Sequence, residues 1–200
     1  MPEHRAQIAE FAHVVQHRGT HRPTENQECE ACEGVDIAIL GRSGGGLSVA
    51  SVDALGGRMR AIGVVGGGVK AVSPERVLER GIVLFNSGFA MANSVAEFTL
   101  ALMLCGLRDI PHMIATMRED GWGKARSPVD LGGREVGLLG FGAIGQRVAD
   151  LLRPFSTTIR VYDPYCSDRR ILECGVQPSS LEDLLATSDV VSIHAGRTRR

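Results

Sequence analysis

Two hundred residues with 44% apolar and 22% charged side chains make an ordinary globular composition, room for one large domain or two small ones. A formal net charge of −1 gives no electrostatic case for nucleic acid or an anionic membrane as a partner. Five cysteines, an odd number, argue against a disulfide scaffold; no apolar stretch follows a basic start, so no signal peptide and a cytoplasmic location are expected.

Glycine punctuation divides the chain into alternating strands and helices. Pro2 to Glu10 is polar, Ala12 to Gln16 reads as a strand, and Thr24 is an N-cap opening a polar helix to Glu33. Val35 to Leu40 is a buried-type strand, Ser43 to Gly46 a loop, and Val49 to Leu55 a short helix stopped by Gly56-Gly57. Met59 to Val65 is a second such strand and runs into Gly66-Gly67-Gly68. Ser73-Pro74 then opens a helix through Arg80, and Ile82 to Phe85 is a further strand. Strands that are apolar throughout, alternating with helices, predict a parallel sheet covered on both faces. From Ser94 to Leu107 apolar residues wrap nearly all round a helix, which predicts burial between layers or domains; Glu97 and the run's length argue against a membrane span. Gly121-Trp122-Gly123 to Leu131 reads as a linker.

The most informative segment follows. An apolar run, Val136 to Leu139, leads into Gly140-Phe141-Gly142-Ala143-Ile144-Gly145 and then a helical pattern (Ile144, Val148, Leu151, Leu152). A second apolar run, Ile159 to Tyr162, ends at Asp163. Strand, glycine turn, helix, strand and acid form a dinucleotide pocket: Gly140 permits the tight turn, Gly142 lets a pyrophosphate approach the backbone, and Gly145 lets the helix pack closely. The helix N-terminus offers N–H groups to phosphates, and Asp163 can accept from the adenosine ribose hydroxyls. A loop through Cys166, a helix to Cys174, a strand at Gly175-Val176, a helix capped by Ser180 and a last strand, Val190 to His194, complete the pattern.

One other cluster needs weighing. His13, His17 and His21 at i, i+4 and i+8, with Cys29-x-x-Cys32 behind them, carry enough nitrogen and sulfur for zinc. A single CxxC without its second half at finger spacing is more simply a chance occurrence on polar elements, and no metal is expected.

Ser94-Val95-Ala96-Glu97-Phe98-Thr99-Leu100-Ala101-Leu102, the glycine turn with its strand, Val161-Tyr162-Asp163-Pro164-Tyr165 and Ser188-Asp189-Val190-Val191-Ser192-Ile193-His194-Ala195 occur in that order. Together they resemble the D-isomer-specific 2-hydroxyacid dehydrogenases, the group with phosphoglycerate and hydroxypyruvate reductase-type enzymes, from about Val35 to Arg200. The resemblance implies an α/β protein: a flavodoxin-like substrate-domain portion over residues 1–104, then the N-terminal half of a Rossmann NAD-binding domain over 105–200. It implies NAD as cofactor, a small 2-hydroxy or 2-oxo acid as substrate, and a homodimer for a complete chain. By motif, Gly140, Gly142, Ala143, Ile144 and Gly145 would line the pyrophosphate, and Asp163 would hold the ribose and repel the 2′-phosphate of NADP. Ala195 would touch the cofactor. Gly66, Gly67 and Gly68 match the family's Gly-x-Gly loop facing substrate carboxylate and cofactor, with Gly67 shared between the two. Lys70 stands where the family usually carries an acid.

The implied activity is hydride transfer between NAD and a 2-hydroxy/2-oxo acid, at the CH–OH group. The resemblance sets the family's arginine, glutamate and histidine beyond Arg200, so no catalytic residue is assigned within the chain, and His194 corresponds to a non-catalytic position. The expectation is therefore an oxidoreductase that is catalytically incomplete as the chain stands. The other reading is a non-catalytic NAD(H)-binding module with a regulatory or interaction role. Val190 to His194, beside the first nucleotide strand, is expected to lie at a sheet edge and to favour association.

Overall fold

The structure, a computed structural model, describes residues 2–15, 24–41, 46–119 and 128–196. The loop readings at Ser43, Gly44 and Gly45, the histidines at 17 and 21, Gly121-Trp122-Gly123 and Thr198 to Arg200 lie outside the described residues. The chain forms two compact units, Met1–Gly88 and Phe89–Arg200. The sequence-based boundary at 104/105 falls inside a helix that packs into the second unit.

In the first unit α1 (Pro2–Ala9) and α2 (Glu25–Cys32) precede the sheet. No strand forms over Ala12 to Val15: the Ala12 N–H turns back to Ile8 O, and among the described residues the short apolar pair Val14-Val15 pairs with no strand. Thr24 caps α2 as expected, in a capping box with Gln27. Strands β1 (Ile37–Leu40), β2 (Ala61–Val64) and β3 (Val83–Asn86) are parallel in the order β1-β2-β3, joined through α3 (Val49–Ala54) and α4 (Pro74–Glu79). Their inner face (Ala38, Leu40, Ile62, Val64, Leu84) packs with Val52, Leu55, Val72 and Val77. On the opposite face Ile39 is 62% and Phe85 48% exposed, with Gly63 between them in register, so among the described residues the expected cover on both faces does not form here. Ser73 does precede α4, but at φ +48 its hydroxyl donates to Leu47 O instead of capping.

The second unit begins with α5 (Ala92–Leu107) and α6 (Ile110–Glu119). Ala96, Leu100, Met103, Leu104 and Leu107 of α5 join the core, whereas Phe98 is 64% exposed, so only one side of this all-apolar helix is buried. No single helix among the described residues is long and apolar enough to cross a membrane; α5 and α6 reach that length together only across a 56° bend.

Four parallel strands follow: β4 (Glu135–Leu139), β5 (Thr158–Tyr162), β6 (Gln177–Pro178) and β7 (Val190–Ile193), in the order β6-β5-β4-β7. Their connections are α7 (Ala143–Leu152), α8 (Asp168–Glu173) and α9 (Leu181–Thr187). Progression β4 to β6 on one side and a return to the other side of β4 is the first half of a Rossmann sheet, with its switch point between β4 and β7. Val136, Leu138, Ile159 and Val161 pack with Val148, Ala149 and Leu152 of α7 and Ile171 of α8. On the opposite face a Cβ on Gly137 would collide with Leu184 and Ser188, so α9 sits directly against β4 backbone. Ser167 and Ser180 cap α8 and α9, each accepting from the N–H three residues on. The strand expected at Gly175-Val176 forms two residues later, because Gly175 at φ +72 and Val176 complete the turn out of α8. Strand β7 is an edge among the described strands, with Ile193 70% exposed.

Leu138 is fully buried at the centre of this sheet, and Leu138→Ala should cost about 2–5 kcal/mol through lost burial and a residual cavity. Chemical denaturation of the two forms measures it; an unchanged midpoint would contradict the packing described.

Candidate functional site

The strand order puts a switch point between β4 and β7, where open parallel sheets of this kind have their ligand crevice at the carboxyl ends of the strands, and the turn after β4 brings backbone to that place. Gly140 has φ +96, a conformation that a side chain disfavours, and a Cβ there would lie 2.7 Å from Ala195 N and 2.8 Å from His194 C. His194 N–H donates to Leu139 O at 2.7 Å, which ties the end of β7 to the same place. Gly145 sits in the first turn of α7, where a Cβ would run into Gly140 O. Gly140, Gly145 and Ala195 therefore meet at one point.

Gly142 behaves differently. It is the N-cap of α7, with φ −75 and ψ −160, and a Cβ placed on it meets nothing within 4 Å. No side chain caps the helix. The N–H groups of Ala143, Ile144 and Gly145 thus face the mouth of a ten-residue helix, whose dipole favours an anion there. The glycines have two distinct physical roles: Gly140 and Gly145 admit backbone, and Gly142 keeps space open beside donors.

Asp163 follows β5, the neighbour of β4. Its Oδ2 accepts from Phe141 N–H at 2.7 Å and its Oδ1 from Tyr165 N–H at 2.8 Å. The carboxylate is half-buried and lashed to the glycine turn, so the sequence-distant acid and turn form one constellation. A carboxylate offers roughly four lone-pair sites, and two backbone bonds leave the others for ligand hydroxyls.

Gly66 to Gly68, after β2, belong to the first unit. Gly66 has φ +125 and its N–H donates to Ser87 Oγ at 2.9 Å. Gly67 lies against the turn after β3: a Cβ on Gly88 would be 3.0 Å from Gly67 Cα, and Asn86 Oδ1 accepts from Gly88 N–H. Two residues here escape sequence reading: Ser87, because it acts on a loop some twenty positions away through a contact that only the sheet creates, and Asn86, whose local bond to Gly88 orders the turn that Gly67 packs against. Gln146 was likewise missed: its Nε2 donates to Phe141 O at 2.8 Å.

Cys29 and Cys32 lie on α2. Burial, Cys29 and Glu28 push the Cys32 thiol up, away from the thiolate that metal ligation needs. Among the described residues no group of three or more His, Cys, Asp or Glu could hold a metal.

The glycine geometry predicts opposite outcomes at two positions. Gly145→Ala should destabilise the second unit by about 1–3 kcal/mol through overpacking against backbone, whereas Gly142→Ala should stay within about 0.5 kcal/mol; thermal melting compares them. A second expectation concerns pH. His194 is half-buried, its Nε2 lies 3.0 Å from Ser192 Oγ, and burial lowers its pKa from the ordinary 6.5. The unfolded chain then binds this proton more readily than the folded one. The contribution is fully present above 6.5 and is lost as pH falls from there toward the lower folded value. His194→Gln should flatten that segment of a stability–pH curve, and a parallel curve would refute the assignment.

Comparison with known proteins bears on what this crevice holds. Residues 100–200 match the family model described as D-isomer specific 2-hydroxyacid dehydrogenase, NAD binding domain. D-3-phosphoglycerate dehydrogenase of Mycobacterium tuberculosis is 32% identical over 192 residues, which are 96% of this chain but 36% of that protein. The chain thus spans about a third of the length of the curated relatives it matches. Among solved structures, a glyoxylate reductase from Paecilomyes thermophila superposes with a TM-score of 0.85 at 23% identity, covering 98% of this chain and 62% of that one. A phosphoglycerate oxidoreductase from Rhizobium etli gives a TM-score of 0.68 at 27% identity, with coverages of 98% and 62%. NAD is the cofactor that goes with the matched domain. On the match across residues 100–200, together with the half-Rossmann sheet and its glycine turn, the chain belongs to the D-isomer-specific 2-hydroxyacid dehydrogenase family.

Proposed function

We propose that this chain supplies the dinucleotide-binding half of an NAD-dependent oxidoreductase acting on the CH–OH group of a small 2-hydroxy acid. One observation carries the reading: an uncapped helix N-terminus beside an open glycine, with a carboxylate hydrogen-bonded to the same turn. In this reading Gly142, Ala143, Ile144 and Gly145 present N–H groups to the pyrophosphate, while Gly140 shapes the turn. Asp163 accepts from the adenosine ribose hydroxyls, and its charge disfavours a 2′-phosphate. Ala195, packed on Gly140, borders the cofactor.

The nicotinamide, when bound, accepts or gives the hydride. The residues of this chain bind and orient. Gly67 and Gly68 are the substrate-facing donors of their loop, since the Gly66 N–H is bonded to Ser87 Oγ and that glycine acts through its positive φ. Turnover also needs a group that exchanges the hydroxyl proton and a cation that orients the carboxylate. No residue of this chain is assigned to either role.

Fluorescence titration with NADH and NADPH tests the reading. The unsubstituted chain should bind NADH more tightly than NADPH. Asp163→Asn should weaken NADH about tenfold, by loss of a charged hydrogen-bond acceptor, and narrow the gap between the two nucleotides. Equal affinity for both in the unsubstituted chain would defeat the role given to Asp163.

A further inference from the structure

We infer that Gln146 is a positioning residue of the pyrophosphate turn: it fixes the Phe141–Gly142 peptide so that the Gly142 N–H is directed outward before a nucleotide arrives. The inference rests on the NAD reading above and assigns a role within it to a residue that no motif singles out.

The argument begins with peptide geometry. The described residues contain no cis peptide bond, so the C=O of Phe141 and the N–H of Gly142 point in opposite directions across one plane. Gln146 Nε2 donates to that C=O at 2.8 Å from the first turn of α7. The N–H of Gly142 therefore faces away from Gln146. Among the described residues it meets no protein acceptor, and the space at Gly142 is open.

Without the Gln146 bond the plane has little to hold it. Glycine at 142 accepts many combinations of φ and ψ, so rotation about the bonds flanking the peptide would be cheap. The other anchors of Phe141 do not control this plane. Its N–H is held by Asp163 Oδ2, but that group belongs to the preceding peptide. Its ring, 2% exposed, is buried in the core and fixes the side chain. Gln146 is additionally held in place, because its own N–H donates to Gly142 O at 3.0 Å. One residue thus bonds the carbonyl before Gly142 with its side chain and the carbonyl of Gly142 with its backbone. A donor fixed in advance binds an anion without an ordering cost at the moment of contact.

The two halves of the nucleotide separate this role from a merely structural one. Gln146→Met keeps the length of the side chain and removes the donor. By calorimetry, ADP, which carries the pyrophosphate, should bind about five- to tenfold more weakly, the worth of one hydrogen bond; adenosine should bind unchanged. Gln146→Lys, which restores a donor of similar reach, should regain the ADP affinity. Equal weakening of both ligands by Gln146→Met, no weakening of either, or a loss in Gln146→Lys as large as in Gln146→Met would overturn the inference. Failure of the unsubstituted chain to bind ADP and NADH at all is a different result: it would overturn the NAD reading, and this inference with it.

Discussion

The second unit turns on a meeting of three backbones at Gly140. The strand that ends there, the first turn of α7 at Gly145 and the end of β7 at His194 and Ala195 approach so closely that no Cβ fits between them. Close approach lets α7 start directly at the strand end, with its N-terminal N–H groups at the crevice instead of a turn away from it. The same approach brings β7 alongside β4, which places the switch point of the sheet over those donors. If Gly145 carried a side chain, the helix would have to shift, and Ile144, Val148 and Leu152 would move with it against β4 and β5. Core packing and ligand geometry are therefore one constraint.

Asp163 belongs to that constraint as well. A carboxylate left half-buried without partners would be costly. Two backbone N–H groups, from Phe141 and Tyr165, meet it and hold its orientation. The bond to Phe141 spans β4 and β5 at their carboxyl ends, so the acid ties the two strand ends together. A group already fixed by the protein loses little freedom on meeting a ribose, which favours binding by preorganisation.

Much of this was legible because glycine spacing and apolar runs are local. The turn from Gly140 to Gly145, the acid after the next strand and the caps at Thr24 and Ser180 are marked by residue types in the segments themselves. Strand ends were read too long, since Val35, Met59 and Ile82 are apolar for helix packing and not for ladder pairing. Val14-Val15 has strand-like composition but pairs with no strand among the described residues, and a strand exists only as a pair. The one-sided burial of α5 was hidden because an apolar residue looks the same whether or not something covers it. Ser87 and Gln146 were invisible for a different reason. Their partners are backbone atoms brought near by the fold, and a backbone atom leaves no mark in the sequence.

That last point separates the two sets of donors. Around the dinucleotide turn the chain offers backbone N–H groups held by other backbone and by two polar side chains, Asp163 and Gln146. Such a site tolerates change in most side chains, provided the glycines stay, because what it presents is a shape of main chain. Near Gly66 to Gly68 the main chain is again the donor, with the Gly66 N–H held by Ser87 Oγ. What the sequence must satisfy around the turn after β4 is therefore a main-chain shape, set at Gly140 and Gly145 by backbone that approaches too closely for a Cβ and at Gly142 by open space.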